Sequence, residues 1–315
     1  MAGPLLFLVG PTASGKKRAA LEVADALQVD LLSLDSMKVY RGMDLGTDKL
    51  AAGRFALVDL VDPSERFSVG AYVRMAREAA TAVRARGRLP LFVGGTGLYL
   101  RALVHGLTEV PDIAPEVRAR VNSRLDQLGA PAVHEELARV DPATAARLHR
   151  NDRKRIARAL EVFEQTGQPL SRWQKEATRR PIEGEPLLIG IRFSRQLLRA
   201  RIAARVERMF AAGLVAEVKR LVETATIGEV AAQAIGYREV AELLAHGGSL
   251  DECRGAVVRN TMLFVRRQDH WLRQFPEIRW IDGDADPESV PRRVVEAFRA
   301  ALAGLTAGSD RPSRS

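Results

Sequence analysis

The segment Gly10–Lys17 combines residue types that bind phosphate groups. It fits the pattern G-x-x-x-x-G-K and lies between an apolar run and a stretch with helical periodicity. Glycines let backbone amides wrap around phosphate oxygens, and a lysine adds a mobile positive charge. We therefore expect a phosphate-binding role for Gly10, Thr12, Ala13, Ser14, Gly15, Lys16 and Lys17.

Lys17 departs from this pattern, because its position normally carries the Ser or Thr hydroxyl that joins a Mg²⁺ shell. An ammonium group has no lone pair to offer a metal ion. The metal could instead be held through water, by Asp35 or by the phosphates of the ligand. We expect Lys17 to replace part of the metal's charge.

A carboxylate and a second glycine-rich turn are expected beside the phosphate loop. Asp35 follows one predicted strand and the run Gly94–Tyr99 follows another, and open α/β sheets bind ligands at the carboxyl ends of their strands. Asp35 is therefore a candidate general base, with a helix cap as the alternative. Thr96 is a candidate hydrogen-bond donor, with an N-cap as the alternative. Asp44 and Asp48 are expected to be solvated loop residues.

An α/β framework is needed to position these groups. Apolar patterns predict strands at 5–9, 30–34, 55–60, 90–93 and 187–193, with helices between them. Such alternation is typical of a doubly wound parallel sheet. After Ile113 short helices follow one another without strands. The sequence thus predicts a discontinuous core formed by 1–113 and 186–305, a helical insertion at 114–185 and a disordered tail at 306–315.

Composition excludes several classes of protein. Of the 315 residues, 46% are hydrophobic and 28% charged, which is near the globular average and unlike a disordered or fibrous chain. The single Cys253 excludes a disulfide framework or a cysteine zinc cluster. No apolar stretch approaches the ~20 residues of a membrane-spanning helix, and Pro11 interrupts the one candidate for a secretory signal. We expect a cytoplasmic protein without membrane association.

The net charge of +9 is concentrated in one segment. Residues 145–205 contain 15 Lys and Arg against 6 Asp and Glu, so the rest of the chain is balanced. A concentrated basic surface attracts a nucleic-acid phosphate backbone. The alternative is a run of solvated helix faces.

Six short segments occur together along the chain, and they are Gly10–Lys16, Asp35–Ser36, Tyr40–Thr47, Gly94–Tyr99, Arg158–Val162 and Ile235–Tyr237. In this order they resemble the bacterial tRNA dimethylallyltransferases, also called tRNA isopentenyltransferases. The resemblance implies a P-loop NTPase-like parallel sheet core with an inserted all-helical domain that binds tRNA.

The resemblance also implies a prenyltransferase reaction. Such enzymes transfer the dimethylallyl group of dimethylallyl diphosphate to N6 of adenosine 37, in tRNAs that read codons starting with U. The products are N6-isopentenyladenosine and diphosphate. The implied cofactor is Mg²⁺, the implied partner is the tRNA anticodon stem-loop with its A36-A37 sequence, and the implied state is a monomer.

Individual positions match residues of that family. Asp35 matches its catalytic Asp, which would accept a proton from N6, a weak nucleophile. Thr96 resembles its Thr near the reacting groups. Arg201 and Arg205, four residues apart and so on one helix face, resemble arginines that approach the diphosphate. The implied tRNA-binding residues are Asp35, Ser36, Met37, Lys38, Thr96, Arg118, Lys154, Arg155, Ile156, Ala157 and Arg158. Met37, Tyr40 and Tyr99 are candidates to line the adenine pocket.

Two other functions fit parts of the pattern. A P-loop small-molecule or nucleoside kinase would use the same loop for ATP and Asp35 as base toward a hydroxyl. It would have no need of the basic stretch at 145–205. A non-catalytic RNA-binding protein with a decayed phosphate loop is favoured by Lys17 alone.

Overall fold

The computed structural model describes residues 3–49, 53–108, 110, 112–176, 181–224 and 227–309. Its contacts divide the chain into two compact units. The first comprises Met1–Val104 with Ile182–Ser315, and the second comprises His105–Pro181. The first unit contains the sheet and the second is helical. The helical unit thus starts nine residues before the predicted start of the insertion at 114 and ends four before its predicted end at 185.

The strands are β1 (Leu5–Val9), β2 (Val29–Leu34), β3 (Phe55–Ala56), β4 (Leu89–Gly94), β5 (Pro186–Arg192) and β6 (Arg279–Asp282). The helices are α1 (Lys16–Ala26), α2 (Val69–Ala85), α3 (Gly97–His105), α4 (Pro115–Val140), α5 (Pro142–Ala145), α6 (Arg153–Thr166), α7 (Leu170–Glu176), α8 (Arg195–Ala211), α9 (Leu214–Thr224), α10 (Tyr237–His246), α11 (Leu250–Leu272) and α12 (Val290–Ser309). A short 3₁₀ turn, Ala231–Gln233, precedes α10.

The six strands form one parallel sheet in the order β3-β2-β4-β1-β5-β6. Strand β1 lies inside the sheet and is buried along its whole length, as its continuous apolar sequence predicts. Helices α1 and α12 cover one face with a core that includes Val23 and Phe298. Because the strands are parallel, the ends of β1, β2 and β4 meet at one edge, and the loops that follow them carry the candidate site.

The structure differs from the predicted elements at several places. The third strand ends at Ala56, because Leu57 and Asp59 have left-handed backbones, with φ of 62° and 53°, that cannot continue a strand. Strand β6 and helices α7 and α12 were not predicted. Helix α12 continues through Ser309, which corrects the first part of the predicted disordered tail. Residues 310–315 of that tail lie outside the described residues.

The helical unit has its own core between α4 and α6. Val121 and Leu125 of α4 pack with Ile156 and Leu160 of α6. Helix α4 is interrupted at Gly129, whose φ of 78° divides it into two helical segments. Within the described ranges, no helix has both the length and the apolar character needed to cross a membrane.

Candidate functional site

The phosphate loop is shaped by three residues with positive φ, namely Gly10, Ala13 and Gly15. A Cβ on Gly10 would lie 2.5 Å from the carbonyl oxygen of Ile191, so this position requires glycine. Lys16 folds back over the loop, and its Nζ donates to the carbonyl oxygen of Pro11 at 2.6 Å and to Oγ of Ser14 at 3.3 Å. Burial lowers the pKa of Lys16 to about 7, and the nearby Asp35 partly opposes this shift. The protonation state of Lys16 near neutral pH therefore depends on whether an anion is bound in the loop.

Asp35 and Thr96 lie together at the sheet edge. Oδ1 of Asp35 accepts the amide of Met37 at 2.9 Å, and Oγ1 of Thr96 accepts the amide of Ser36 at 3.1 Å. The amide of Thr96 in turn donates to the carbonyl oxygen of Leu34 at 3.3 Å. Both residues therefore shape the turn after β2. Asp35 also lines a pocket there, together with Ser36, Met37 and Lys38.

Two arginines of α8 face the phosphate loop. Arg205 donates to Oγ1 of Thr12 at 3.0 Å and to the carbonyl oxygen of Gly46 at 3.4 Å. The guanidinium of Arg201 lies 4.2 Å from the centre of the Phe193 ring, and its buried Nη1 has no hydrogen-bond partner among the described residues. A buried unpaired donor is costly, so an anionic ligand in the loop would satisfy it.

Gln268 of α11 is a site residue to which the sequence assigned no role. Its Oε1 accepts the amide of Thr12 at 2.8 Å, and its Nε2 donates to the carbonyl oxygen of Gly95 at 3.1 Å. A Cβ on Gly95 would lie 2.2 Å from this side chain, which explains the glycine. Gln268 thus joins the two glycine-rich loops.

Of the two loop aspartates that the sequence predicts to be solvated, Asp44 is exposed and Asp48 is half-buried, and each faces a lysine. Oδ1 of Asp48 lies 3.1 Å from Nζ of Lys17. Asp44 lies 3.1 Å from Nζ of Lys49, whose buried ammonium also lies 2.6 Å from Asp59. Lys17 reaches Asp48 from α1, whereas Lys49 contacts Asp44 from within the same loop.

A pocket of about 950 Å³ connects the phosphate loop, Asp35, Arg201 and Arg205, whereas Thr96 is not among the residues that line it. The described residues that line it include eight Lys and Arg and two Asp, and such an excess favours an anionic ligand. Of the predicted adenine-pocket residues, Met37 lines it, whereas Tyr40 and Tyr99 are buried in the protein core and do not.

The helical unit contains the predicted basic segment of α6. Arg155 and Arg158 are exposed, and Arg158 lies 3.7 Å from the buried carboxylate of Glu161. Arg118 of α4 lies 3.9 Å from the same carboxylate, so Glu161 joins two of the implied tRNA contacts. Lys154 lies on the same helix and is exposed.

Ile156 and Ala157 require a correction. Both side chains are buried in the core of the helical unit, at 0% and 7% exposure. They belong to the apolar face that packs α6 against α4, so their side chains are not available to tRNA. The resemblance implies a continuous tRNA-binding segment, but one face of an amphipathic helix packs against the protein core and only the other is exposed.

Comparisons with known proteins agree with this geometry. Residues 38–275 match the IPP transferase family. The tRNA dimethylallyltransferase of Geobacter sulfurreducens is 43% identical over 300 residues, which cover 93% of this chain and 96% of that protein. The crystal structure of the full-length tRNA isopentenylpyrophosphate transferase from Bacillus halodurans has a TM-score of 0.71 and 32% identity, covering 98% of this chain and 100% of that one.

A eukaryotic dimethylallyltransferase acting on tRNA shares the fold, with a TM-score of 0.80 at 22% identity, over 100% of this chain and 81% of that chain. The parallel sheet with a phosphate loop between β1 and α1, and the match to the Bacillus halodurans structure, make the core P-loop NTPase-like. Since the matches extend over nearly all of its length, the chain belongs to the IPP transferase family.

Proposed function

We propose that this chain transfers the dimethylallyl group of dimethylallyl diphosphate to N6 of adenosine 37 in tRNAs that read codons starting with U. The observation that carries the proposal is the basic pocket that is lined by both the phosphate loop and Asp35. Such a pocket can bind a diphosphate at one side and a base-bearing nucleophile at the other. The names of the relatives support the same reaction.

The phosphate loop would bind the diphosphate and stabilise it as it leaves. Negative charge grows on the diphosphate as the allylic C–O bond breaks, and preorganised donors lower the energy of that state. Lys16 and the unpaired Nη1 of Arg201 would donate to these oxygens. Arg205, bonded to Thr12, would hold the loop in position.

Asp35 would act as the general base. The lone pair of adenine N6 is delocalised, so a carboxylate that accepts an N6 proton makes it a better nucleophile. One carboxylate oxygen accepts the Met37 amide and orients the group. The adenine must leave the anticodon stack to reach this depth, as base-modifying enzymes require. Thr96, fixed beside Asp35 by the Ser36 amide, would contact the reacting groups.

A magnesium ion would be held at this site mainly by the diphosphate and by water. Among the described residues, no group of three or more His, Cys, Asp or Glu side chains is placed to hold a metal ion. Mg²⁺ often keeps several waters and binds through one or two carboxylates plus substrate phosphates. Asp35, whose carboxylate also has to accept the N6 proton, would hold the ion through water, and the ion would neutralise the charge that grows on the diphosphate as it leaves.

The helical unit would bind the anticodon stem-loop. Arg118, Lys154, Arg155 and Arg158 supply positive charge on two neighbouring helices, α4 and α6. Contacts to phosphates position a nucleic acid without reading its sequence. Recognition of A36-A37 would then fall to the pocket of the sheet unit. A monomeric state and a cytoplasmic location belong to the same proposal.

Incubation with radiolabelled dimethylallyl diphosphate and unmodified tRNA tests the proposal. We expect label in adenosine 37 of tRNA that carries A36-A37, and none in a matched tRNA with guanosine at position 37. Absence of label in tRNA, together with ATP turnover on small hydroxyl substrates, would favour the kinase instead.

A further inference from the structure

Two lysines converge on one aspartate at the side of the phosphate loop. Nζ of Lys17 lies 3.1 Å from Oδ1 of Asp48, and Nζ of Lys38 donates to the carbonyl oxygen of Asp48 at 3.1 Å. All three residues line the pocket that contains Lys16 and Asp35. The side chain of Lys17 is 29% exposed, so it lies along the pocket rather than extending into solvent.

Lys17 stands where the phosphate-loop pattern places a metal-binding hydroxyl. An ammonium cannot replace that hydroxyl as a metal ligand, because it has no lone pair. It can replace the metal's other effect, which is to neutralise phosphate charge. The helix α1, which begins at Lys16, fixes the backbone from which Lys17 reaches the pocket.

Asp48 directs both ammonium groups. It has a left-handed backbone with φ of 57°, a conformation uncommon in residues other than glycine but tolerated by aspartate. In this turn its carboxylate faces Lys17 while its carbonyl oxygen faces Lys38. Burial lowers the pKa of Lys38, and Asp35 and Asp48 oppose that shift. The two lysines are therefore placed for an anion rather than for solvent.

We propose that Lys17 and Lys38 form a cationic subsite for the diphosphate, one that takes the place of a metal ligand from the phosphate loop. This chain then binds diphosphate without a divalent cation. The inference rests on the proposed function, because it takes the diphosphate as the ligand. When the diphosphate binds, one of its oxygens replaces the Asp48 carboxylate as the partner of Lys17.

Calorimetric titration with inorganic diphosphate, in EDTA and again in excess Mg²⁺, tests the proposal. Wild-type protein is expected to bind in both media with little difference. Lys17→Thr is expected to lose about tenfold in EDTA, the effect of one charged hydrogen bond. It should recover most of this loss in Mg²⁺, because a threonine hydroxyl can join the metal shell. Lys38→Gln should lose affinity in EDTA as well.

Lys219→Thr is the matched control, since it removes the same charge from an exposed position on α9 where Lys219 faces Glu223. It should bind diphosphate like the wild type. The proposal is wrong if wild-type protein needs Mg²⁺ as strongly as Lys17→Thr does. It is equally wrong if Lys17→Thr and Lys219→Thr bind alike in EDTA.

Asp48→Asn gives a change of opposite sign. Asparagine tolerates the left-handed backbone, and the carboxylate that competes for Lys17 is removed. We expect tighter binding of diphosphate in EDTA, a gain that a damaged fold cannot produce. Unchanged or weaker binding would contradict the proposal.

The result is separable from the proposed transfer reaction, because the ligand is inorganic diphosphate. Protein that binds it without metal but transfers no label to tRNA would support the subsite and overturn the proposed function. Protein that labels tRNA but binds diphosphate only in the presence of Mg²⁺ would support the proposed function and overturn the subsite.

Discussion

The phenolic oxygen of Tyr237 lies 2.5 Å from Oε1 of Glu217, and this pair anchors the loop after β2. The Glu217 carboxylate is buried and accepts the amides of Asp44 and Leu45 at 3.1 Å. The Tyr237 oxygen accepts the amide of Gly46 at 3.2 Å. A Cβ on Gly46 would lie 2.2 Å from the Tyr237 ring, so the contact requires glycine. Helices α9 and α10 thereby fix a loop that lines the site.

Tyr237→Phe is expected to lower the free energy of unfolding more than Tyr72→Phe. The first change removes a donor from a buried carboxylate, which costs about 1–3 kcal/mol. The second removes one neutral hydrogen bond, from Tyr72 to the carbonyl oxygen of Ser33, worth about 1 kcal/mol. Urea denaturation measures both. Equal losses of unfolding free energy would show that the hydrogen bond to Glu217 stabilises the fold no more than a neutral one does.

Asp35→Asn is expected to lower kcat by about 10²–10⁴-fold, because the amide cannot accept the N6 proton. Its side-chain oxygen can still accept the Met37 amide, so the turn and the affinity for tRNA should be preserved. Asp25→Asn, an exposed position paired with Arg54, is the control. Single-turnover transfer and filter binding separate the two effects. A loss of tRNA affinity as large as the loss of kcat would assign Asp35 to binding alone.

Removal of charge at Lys154, Arg155 and Arg158 is expected to weaken tRNA binding and flatten its dependence on salt. Each lost phosphate contact should reduce the slope of log affinity against log salt by about 0.7–0.9. Binding measured over a series of salt concentrations provides that slope. Arg292→Gln, at an exposed arginine on α12, serves as the control. An unchanged slope in the α6 variants would place the tRNA elsewhere.

The sequence predicts those parts of the site whose residues are close together along the chain. Strand β1, the phosphate loop and α1 follow one another directly, and Asp35 follows the next strand, so their placement needs only the order of elements. Gln268 and Glu217 could not be found this way, since their partners Thr12 and Asp44 lie 256 and 173 residues away. The residues next to a buried polar side chain in a helix do not indicate which distant group is its hydrogen-bond partner.

The charge pattern of the sequence predicts where basic residues concentrate, but not which neighbouring residues are buried. The basic segment predicts a charged surface that includes the exposed arginines of α6, whereas Ile156 and Ala157, which the resemblance implied, are buried by packing against α4. The sequence predicts that Asp48 is solvated, because it does not show that lysines from α1 and from the turn after β2 contact this residue in the folded chain. Such convergence is a property of the folded chain.

The protonation state of Lys16 makes diphosphate binding depend on pH. Burial lowers the pKa of Lys16 to about 7, so the amine of the free protein is largely neutral above that pH. An anionic diphosphate favours the protonated amine, and binding above pH 7 must therefore take up a proton. By linkage, affinity should fall as pH rises above 7, by up to about tenfold per unit for one proton. Below pH 7 the amine is already charged and its contribution stays constant.

Lys16→Arg isolates this effect, because a guanidinium stays charged throughout the range. The diphosphate's own ionisation affects both proteins equally, so the ratio of their dissociation constants reports on Lys16. Calorimetry in EDTA over roughly pH 6 to 9, in two buffers of different ionisation enthalpy, measures the affinity and the proton uptake. A ratio that does not change with pH, with no proton uptake by the wild type, would show that Lys16 is already charged before the diphosphate binds.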